Sequence, residues 1–469
     1  MKKLFLTVTI LLFFLIFVFA LEPQFVINPY PPFSYLENGT KMGFSLDVLN
    51  AIADELNSEV TVDFMEWDDA FSKLKSGKNT AIPSIIMDDE RKEMFKWVGP
   101  ISIVKTSFYS KNSSDIVLKT LEDAKYADKI CVVKDYYSER LLKDMNFENL
   151  LVFDTEIEAF KTFLENENYL FPSNNFGFAF LLNKNSRVIS DFNELLTFSL
   201  DFMYIAFSSD TEDETIEKWQ EGLDTIKLKG ELQEIYNKWL PWATAPGVQI
   251  FLTEEYPPLT YLNSKGEPAG FVTDIVEEIN KRMKNEEKIF FASWDLIYKA
   301  ALINSNVVLF SMAKTQERGD KFEWVGPVIK NTAYFYKNSA SNLALPSIEY
   351  AKKVNKIATT SEWWTEQRLK ELSFENLISY QTPEECVDAL VKRDVDLSIF
   401  TDLTVEDIVK NSGYEMREIQ EILPFESIDV YIGISKGTPE EFIDKFVEAY
   451  DSIVLDGTYS EIRLKYFLE

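Results

Sequence analysis

The sequence ERKEMFKWVGP at residues 90–100 is repeated as ERGDKFEWVGP at residues 317–327, which is 227 residues further along the chain. The two copies share the Glu-Arg pair, a phenylalanine and the whole WVGP ending. Tryptophan and proline are uncommon residues, so we searched outward from this motif for further matches in the same register. The search shows that the whole chain is built around this repeat.

On the N-terminal side, GFSLDVLNAIADEL at residues 43–56 matches GFVTDIVEEI at residues 270–279. A Tyr-Pro-Pro motif precedes each of them, and FENL follows in both halves. Matches in one register over two hundred residues indicate a duplication. We therefore predict two homologous domains, 22–243 and 248–469. Residues 244–247 form a short linker, because the proline there cannot continue a helix and the glycine frees the backbone.

Each half alternates strand and helix patterns. Short apolar runs end before the Pro-Pro turns and predict a first strand, and residues 45–56 place apolar residues at helical intervals. Residues 60–64 and 81–87 then predict two more strands, with a helical stretch between them. This order is typical of an α/β fold with a largely parallel sheet covered by helices. Binding sites in such sheets lie beyond the carboxyl ends of the strands.

Composition excludes several classes of function. The 469 residues include 48 Lys and Arg, 77 Asp and Glu and no histidine, for a net charge of -29. Without histidine there is no Ser-His-Asp or Cys-His catalytic site and no histidine-bound zinc. The negative charge argues against nucleic-acid binding, since phosphate backbones attract clustered Lys and Arg. No metal or cofactor is predicted.

Residues 1–20 resemble a secretory signal peptide. Two lysines precede a long apolar stretch, and small residues before residue 21 suit signal peptidase cleavage. An uncleaved membrane anchor is the alternative, because the stretch is near the lower length limit of a spanning helix. In both cases we expect the body of the chain to be periplasmic or extracellular. Cys131 and Cys386 can form one disulfide at most, and two buried free thiols are the simpler expectation.

The ordered motifs make each half resemble a family 3 extracellular solute-binding domain, the amino-acid-binding type that serves ABC importers. The resemblance rests on YPPFSYLENG, GFSLDVLNAIADEL and ERKEMFKWVGP in the first half, and on YPPLTYLNSKG, GFVTDIVEEI, TQERGDKFEWVGP and GTYSEIRLKYF in the second. It implies two tandem domains of the periplasmic-binding-protein type II class, each with two α/β lobes joined by a two-strand hinge. The hinge crossings would fall near residues 108–110 and 202–204, and near residues 334–336 and 430–431.

The resemblance implies that Arg91 and Arg318 hold the carboxylate of a ligand. A planar guanidinium suits this role because it donates two parallel hydrogen bonds to a carboxylate. The alternative is an ordinary surface ion pair beside Glu90, Glu93 or Asp320. Ser84 and Ser311 precede these arginines by seven residues in both halves. They match a family position that also contacts the ligand, or else they make simple hydrogen bonds at the end of a strand.

Aromatic residues are predicted to form the walls of each cleft. Tyr30 and Tyr256 precede the Pro-Pro turns, where a rigid loop lets a ring pack on a ligand at little entropic cost. Trp67 and Trp294 are repeated in the same register. Packing within a hydrophobic core is the alternative for these rings.

The second lobe departs from the family pattern. Family members commonly carry a Gly-Ser or Gly-Thr pair at the start of a helix there, whereas this chain has an acidic residue followed by two large rings. These rings are Tyr136 and Tyr137 in the first half and Trp363 and Trp364 in the second. They predict stacking on a larger or more apolar ligand, with packing inside the lobe as the alternative.

The family also uses a late aspartate to hold a ligand's ammonium group, and Asp402 is the nearest match in the second half. Asn175 lies opposite it in the first half. An amide lacks the charge that strengthens a bond to an ammonium group. We therefore expect two different sites, with the C-terminal domain the better candidate for an amino acid.

The predicted function is a monomeric, non-enzymatic receptor that closes on a small carboxylate-bearing ligand and delivers it to an ABC permease. A receptor that reports to a membrane kinase or chemoreceptor is a second hypothesis. A third is an enzyme resembling cyclohexadienyl dehydratases, which would need a carboxyl group of raised pKa facing the substrate. No motif identifies such an acid.

Overall fold

The computed structural model describes residues 22–118, 120–134 and 136–467. The predicted signal segment, residues 1–20, lies outside the described residues. Each half of the chain forms one eight-stranded mixed sheet with helices on its faces, and both sheets have the same strand order. The predicted pair of tandem α/β domains is therefore confirmed.

The first domain follows the alternation of strands and helices expected from the sequence. Its strands are β1 (Gln24–Ile27), β2 (Tyr35–Glu37), β3 (Thr40–Met42), β4 (Val62–Phe64), β5 (Thr80–Ile86), β6 (Lys96–Lys111), β7 (Lys129–Val133), β8 (Leu150–Phe153), β9 (Tyr169–Asn174) and β10 (Phe192–Phe207). Its helices are α1 (Phe44–Glu55), α2 (Trp67–Ser76), α3 (Tyr137–Asp144), α4 (Glu156–Glu165), α5 (Asn175–Lys184), α6 (Asp213–Leu228) and α7 (Glu231–Trp239).

The second domain repeats this order, with one additional short helix. Its strands are β11 (Ile250–Thr253), β12 (Tyr261–Leu262), β13 (Pro268–Ala269), β14 (Ile289–Phe291), β15 (Val307–Ala313), β16 (Phe322–Asn338), β17 (Ile357–Thr360), β18 (Leu377–Tyr380), β19 (Leu397–Thr401) and β20 (Ile419–Ser435). Its helices are α8 (Phe271–Met283), α9 (Trp294–Ile303), α10 (Ile348–Ala351), α11 (Trp364–Glu371), α12 (Pro383–Lys392), α13 (Val405–Asn411), α14 (Glu440–Leu455) and α15 (Thr458–Tyr466).

Two long antiparallel strands join the lobes of each domain. The sheet order in the first domain is β4-β1-β5-β10-β6-β9-β7-β8, and in the second it is β14-β11-β15-β20-β16-β19-β17-β18. The outer strands pair in parallel within their own lobe. Because β6 and β10, like β16 and β20, contribute to both lobes, they form the predicted two-strand hinge.

The first crossing in each domain lies a few residues earlier than predicted. Strand β6 already pairs with the second-lobe strand β9 from Thr106 to Tyr109, and β16 pairs with β19 from Ala333 to Tyr336. The segments 108–110 and 334–336 therefore lie largely within the second lobe. Phe108, Tyr109 and Phe335 accordingly pack in the core of that lobe.

The repeated Gly-Phe motif fixes the Pro-Pro loop against the first helix. Gly43 and Gly270 have positive φ angles of 145° and 125°. A Cβ atom on Gly43 would lie 2.2 Å from the Phe33 carbonyl oxygen, and one on Gly270 would lie 2.4 Å from that of Leu259. Only glycine allows this close approach. It holds the loop carrying Tyr30 or Tyr256 above the end of the first strand.

The two domains pack against each other. The hydrophobic core of the second domain extends to Phe202 and Tyr204 on the hinge strand β10 of the first. The Tyr204 hydroxyl donates a hydrogen bond of 2.9 Å to Oδ1 of Asn304, just after α9. In the linker, Lys227 Nζ donates to the Gly247 carbonyl at 2.9 Å. The linker segment is thus tied to the first domain rather than free.

Two further sequence expectations concern thiols and membrane spans. Cys131 and Cys386 are both free and buried, as expected. Burial raises the pKa of the Cys131 thiol to about 12, so it is a poor nucleophile. Within the described part of the chain, no helix is long and apolar enough to cross a membrane.

Candidate ligand-binding clefts

A narrow cavity of about 30 Å³ lies between the lobes of the second domain, beyond the carboxyl ends of its strands. Six of its lining residues were predicted from the sequence: Tyr256, Trp294, Ser311, Arg318, Trp363 and Trp364. Four others were not predicted: Glu254, Ala313, Asn331 and Val430. The first lobe supplies the arginine and serine, and the second lobe supplies the paired tryptophans.

Arg318 is the central charged residue of this cavity and is only 2% exposed. Its guanidinium carbon lies 4.8 Å from the ring centre of Trp294 and 5.0 Å from that of Tyr298, so both rings hold it by cation–π contacts. Nη2 donates across the cleft to the Glu362 carbonyl at 2.8 Å. Nε has no hydrogen-bond partner among the described residues. Burial lowers the pKa of this group, but arginine remains charged in proteins.

Ser311 enters the cavity from a β-bulge. The pairing of β15 with β20 shifts register between Phe310 and Met312, and the serine between them has a φ angle of 65°. Bulges redirect side chains, and a positive φ outside glycine is a strained conformation typical of functional sites. The Ser311 hydroxyl is buried and has no partner in the described structure.

The loop before α11 presents a carbonyl to Arg318. Glu362 has a φ angle of 59°, and its amide donates to Oε2 of the buried Glu366 at 3.0 Å. This bond holds the loop so that the Glu362 carbonyl faces the guanidinium. The next residue, Trp363, meets the ring of Tyr256 edge-on at 4.9 Å between ring centres. Arg318, Tyr256 and Trp363 therefore bring the two lobes together.

Tyr256 makes a second connection between the lobes. It is 6% exposed, and its hydroxyl lies 2.9 Å from Oγ1 of Thr401 in the second lobe. Asn331 Nδ2 donates to the same hydroxyl at 3.3 Å. This leaves Oδ1 of Asn331 buried with no partner in the described residues.

Four buried polar atoms around the cavity thus lack partners in the described part of the protein: Trp294 Nε1, Ser311 Oγ, Arg318 Nε and Asn331 Oδ1. Buried polar groups are normally hydrogen-bonded, and leaving one unpaired costs about 1–3 kcal/mol. Two of the four atoms are donors only, one is an acceptor, and a hydroxyl can be either. The set suits a small polar ligand that carries both a carboxylate and a hydrogen-bond donor.

The sequence pattern of the bacterial extracellular solute-binding proteins, family 3, matches residues 25–241 and again residues 248–469. The chain belongs to this family. Two copies of the domain account for nearly all of the described residues.

Curated relatives of this solute-binding protein are named as binding proteins. The chain is 24% identical over 229 residues to the L-arginine-binding protein of Pseudomonas aeruginosa, which covers 47% of this chain and 87% of that protein. It is 28% identical over 112 residues to the probable amino-acid-binding protein YxeM of Bacillus subtilis, covering 24% of this chain and 42% of that protein. The chain thus spans less than half of YxeM.

One solved structure aligns with both domains of the chain. The periplasmic domain of BvgS from B. pertussis has a TM-score of 0.39 and 13% identity, and it covers 95% of this chain and 90% of that chain.

Glu254 is a cavity residue of this solute-binding protein that the sequence reasoning missed. It is partly buried, hydrogen-bonded to the Trp363 side chain and attracted by Arg318. Burial raises the pKa of its carboxyl group to about 8. Asn28 occupies the same position in the first domain. The sequence argument relied on recurrence, so a carboxylate present in only one copy gave no signal.

Asp402 is not among the residues that line the cavity. It is exposed, and its Oδ1 accepts the Thr332 amide of the hinge strand at 3.0 Å. In the first domain, Oδ1 of Asn175 accepts the amide of Lys105 in the same way at 3.3 Å. Both side chains support the hinge strand. The structure therefore gives no support to the expected ammonium-binding role of Asp402.

The first domain places the matching residues in a more open cleft. Tyr30 and Tyr136 are each 40% exposed, and Tyr137 is also exposed. Asn174 Nδ2 donates to the Tyr30 hydroxyl at 3.5 Å, a longer contact than the Tyr256–Thr401 bond. Ser84 is half-buried. The rings of this domain are available to a ligand, but they do not enclose a chamber in the way that the second domain's rings do.

Arg91 already has a carboxylate partner. Its side chain is 30% exposed, and Nη1 lies 3.5 Å from Oδ2 of Asp88 and donates to the Ile86 carbonyl at 3.2 Å. The guanidinium carbon is 6.0 Å from the ring centre of the half-buried Trp67. Thr315 stands where Asp88 stands in the first domain. The ion pair left open as an alternative in the sequence is thus present at Arg91, and its acidic partner is Asp88.

A second carboxyl group faces the first cleft. Glu156, at the start of α4, is close enough to Tyr30 and Tyr136 to influence the pKa of both hydroxyls. Burial raises the pKa of Glu156 to about 7. The second domain has Pro383 at this position. The two clefts therefore place their buried carboxyl groups on opposite lobes.

Proposed function

We propose that this protein is an exported, non-enzymatic receptor whose second domain captures an amino acid or a close relative between its lobes. The observation that carries the proposal is the buried Arg318, which lines the same cavity as Ser311; among the described residues neither its Nε nor the Ser311 hydroxyl has a hydrogen-bond partner. A guanidinium and a hydroxyl that line one cavity suit a carboxylate group. The names of the curated relatives support an amino acid as the ligand class.

In this proposal the ligand's carboxylate binds Arg318 and Ser311, and its ammonium group binds Glu254. Glu254 replaces Asp402 as the expected partner because it lines the cavity and faces the guanidinium. The rings of Tyr256 and Trp363 cover the carbon skeleton of the ligand. They also exclude water, which strengthens the charged hydrogen bonds.

Closure of the cleft would then depend on the ligand. The contacts Arg318–Glu362 and Tyr256–Thr401 join residues of opposite lobes. A ligand that touches both lobes adds to these contacts only in the closed form, so it shifts the population toward that form. The first domain, whose arginine is paired with Asp88, would bind a different carboxylate ligand more weakly or bind none.

The proposed partner is a membrane protein that distinguishes the closed form from the open one, with an ABC permease as the first candidate. Deleting the gene should abolish uptake of the bound solute if the partner is a permease. If uptake persists and a transcriptional response to the solute is lost, the partner is a membrane sensor. Both outcomes place the receptor outside the cytoplasm.

Calorimetry on the full chain tests the binding site. After denaturation in urea, removal of bound solute and refolding, the protein should release heat with at least one amino acid. Arg318→Ala should weaken this binding about a hundredfold, because a desolvated charge pair typically contributes 2–5 kcal/mol. Arg91→Ala is the matched control and should change it less than about threefold. Equal binding by Arg318→Ala and the wild type would refute the site.

A further inference from the structure

The loop before α11 fills most of the space between the lobes of the second domain. Trp363 on this loop is 8% exposed and lines the cavity together with Glu254 and Tyr256 of the first lobe. A cavity of about 30 Å³ holds only about one or two water molecules. An amino acid is larger than this, so it reaches Arg318 only if a side chain moves out of the cavity.

Trp363 already bonds to the carboxyl group that the proposed function gives to the ligand. Its side chain is hydrogen-bonded to Glu254, and the only polar group of an indole is a donor N–H. The Trp363 ring also meets the Tyr256 ring edge-on at 4.9 Å between ring centres. The indole N–H and the ammonium group of a ligand would therefore donate to the same carboxyl group.

The backbone of this loop is held in place, so rotation of a side chain is the simplest way to clear the cavity. The buried Glu366 accepts the Glu362 amide at 3.0 Å, and Lys370 Nζ donates to the same oxygen at 2.9 Å. The Glu362 carbonyl in turn accepts Nη2 of Arg318 at 2.8 Å. These bonds fix the backbone beside Trp363 but not its ring.

A second space gives the indole room to rotate. An outer chamber of about 340 Å³ lies next to the cavity, and the two share Glu254, Trp294 and Trp363 as lining residues. Side chains change between staggered rotamers without movement of the backbone. The Trp363 ring can therefore turn from the cavity into the outer chamber while α11 stays in place.

The pair of Glu254 and Trp363 is found in one domain only. Asn28 and Tyr136 occupy the matching positions in the first domain, and Tyr136 is exposed. Because the same fold forms in both domains, a bond between a carboxyl group and an indole at these positions is not needed to build it. Its presence in the second domain indicates a function of that cleft.

We propose that Trp363 is an internal competitor of the ligand: its indole N–H takes the place of the ligand's ammonium group at Glu254, and the ligand enters by displacing it. The inference rests on the proposed function, because it requires the ammonium group to bind Glu254. After the rotation, the indole ring covers the ligand from the side of the outer chamber. Trp363 thus sets the affinity, since its bond to Glu254 must be broken each time a ligand binds.

Calorimetric titration of the full chain tests this competition, with the common L-amino acids as probes. Trp363→Phe keeps an aromatic ring but removes the N–H, so the tightest probe should bind about fivefold more tightly than it binds the wild type. Trp363→Leu, a second variant without the donor, should bind at least about twofold more tightly. Trp242→Phe removes the N–H of an exposed tryptophan after α7 and is the matched control, with an expected change below about twofold.

A double-mutant cycle with Glu254 identifies the bond that is lost. Glu254→Ala removes the acceptor, so in this background Trp363→Phe should raise the affinity less than about twofold. A gain caused by a general loosening of the cleft would remain at full size in the same background. The cycle therefore separates competition for Glu254 from a structural effect of the smaller ring.

The outcomes separate this inference from the proposed function. If the wild type binds an amino acid and both Trp363 variants bind it equally or more weakly, the competition is refuted and the amino-acid site is kept. An undiminished gain in the Glu254→Ala background refutes the competition as well. Binding seen only in the Trp363 variants would support it. If neither the wild type nor any variant binds an amino acid, the proposed function itself fails.

Discussion

The two clefts contain the same arginine motif, but the arginine side chain differs between them in its burial and in its neighbours. In the second domain Arg318 is buried, its Nε has no partner within the described ranges of the chain, and Thr315 lies three residues before it. In the first domain Asp88 takes the place of that threonine and pairs with the partly exposed Arg91. We expect this one side chain on the same turn to decide whether the guanidinium is available to a ligand. A conserved position in a repeat therefore does not guarantee two equivalent sites.

The aromatic residues of the two clefts also differ in burial and in their contacts with the opposite lobe. Tyr256 is buried and bonded to the opposite lobe at 2.9 Å, whereas Tyr30 is 40% exposed and has its contact with the opposite lobe at 3.5 Å. The second cleft is enclosed by large rings and acidic residues. The first is open and has its buried carboxyl group on the other lobe. The following predictions test whether these differences cause different binding.

The largest effect on ligand affinity is expected when the acidic partner of Arg91 is introduced at the matching position beside Arg318. Thr315→Asp should weaken ligand binding by the second domain about thirtyfold or more, because the new carboxylate competes with the ligand for Arg318. Thr315→Asn is the uncharged control and should cost less than about threefold. Calorimetry measures both. Full affinity in Thr315→Asp would show that the neighbour of the arginine does not decide its availability.

The reciprocal change sharpens the comparison. Asp88→Thr frees Arg91, so the first domain should gain affinity for a carboxylate ligand. The second-domain variant Arg318→Ala provides a background in which only this gain is seen. Native mass spectrometry counts the ligands held per chain. A count that stays the same in Asp88→Thr would indicate that the open aromatic wall, and not the ion pair, limits the first cleft.

Affinity at the second site should depend on pH through Glu254. Burial raises the pKa of this carboxyl to about 8, and the groups facing it are Trp363, Arg318, Asp295 and Glu384. Below pH 8 the carboxyl is largely protonated and must lose its proton to bind an ammonium group. Affinity should therefore rise about eightfold between pH 7 and pH 8.5 and fall at higher pH, where the ligand's own ammonium group loses its proton.

Proton release provides the check on this pH dependence. Titrations in two buffers of different ionisation enthalpy should show release of close to one proton at pH 7. Glu254→Gln should bind more weakly, with little change in affinity across the same pH range. A proton uptake, or the same pH dependence in the variant, would contradict the assigned role of Glu254.

Removing the Tyr256 hydroxyl should have a moderate effect. Tyr256→Phe loses the bond to Thr401 across the cleft, and a neutral hydrogen bond contributes about 1 kcal/mol, so affinity should fall about fivefold. Tyr30→Phe is the matched variant in the first domain and should leave this affinity unchanged. An effect of equal size in both variants would mean that the two tyrosines do not differ in function.

The smallest effect is expected at Asp402. Its carboxylate accepts the Thr332 amide in the same way that Asn175 accepts the Lys105 amide, so Asp402→Asn keeps an acceptor in place. Ligand affinity should change less than about threefold. Loss of binding would instead restore the role in ammonium binding that the family resemblance implied.

Sequence reasoning predicted the domain architecture and much of the second cleft. The duplication followed from the repeated motifs, the α/β class from the alternation of strand and helix patterns, and the two-strand hinge from the family resemblance. Arg318, Ser311 and the rings of Tyr256, Trp294, Trp363 and Trp364 meet in one cavity. It missed Glu254 and Asn331 because the first domain has no similar residue at either position. The family resemblance placed the first hinge crossing a few residues too late.

The sequence by itself determined the fold class and the duplication, since periodic apolar residues, glycines and prolines act locally and leave a pattern that can be read along the chain. Only the tertiary structure decided which arginine pairs with an aspartate, which carboxylate lines the cavity and which aspartate supports the hinge. Those properties depend on burial and on contacts between residues far apart in the chain. A buried charge responds to the few groups packed around it, and the linear sequence does not reveal which groups those are.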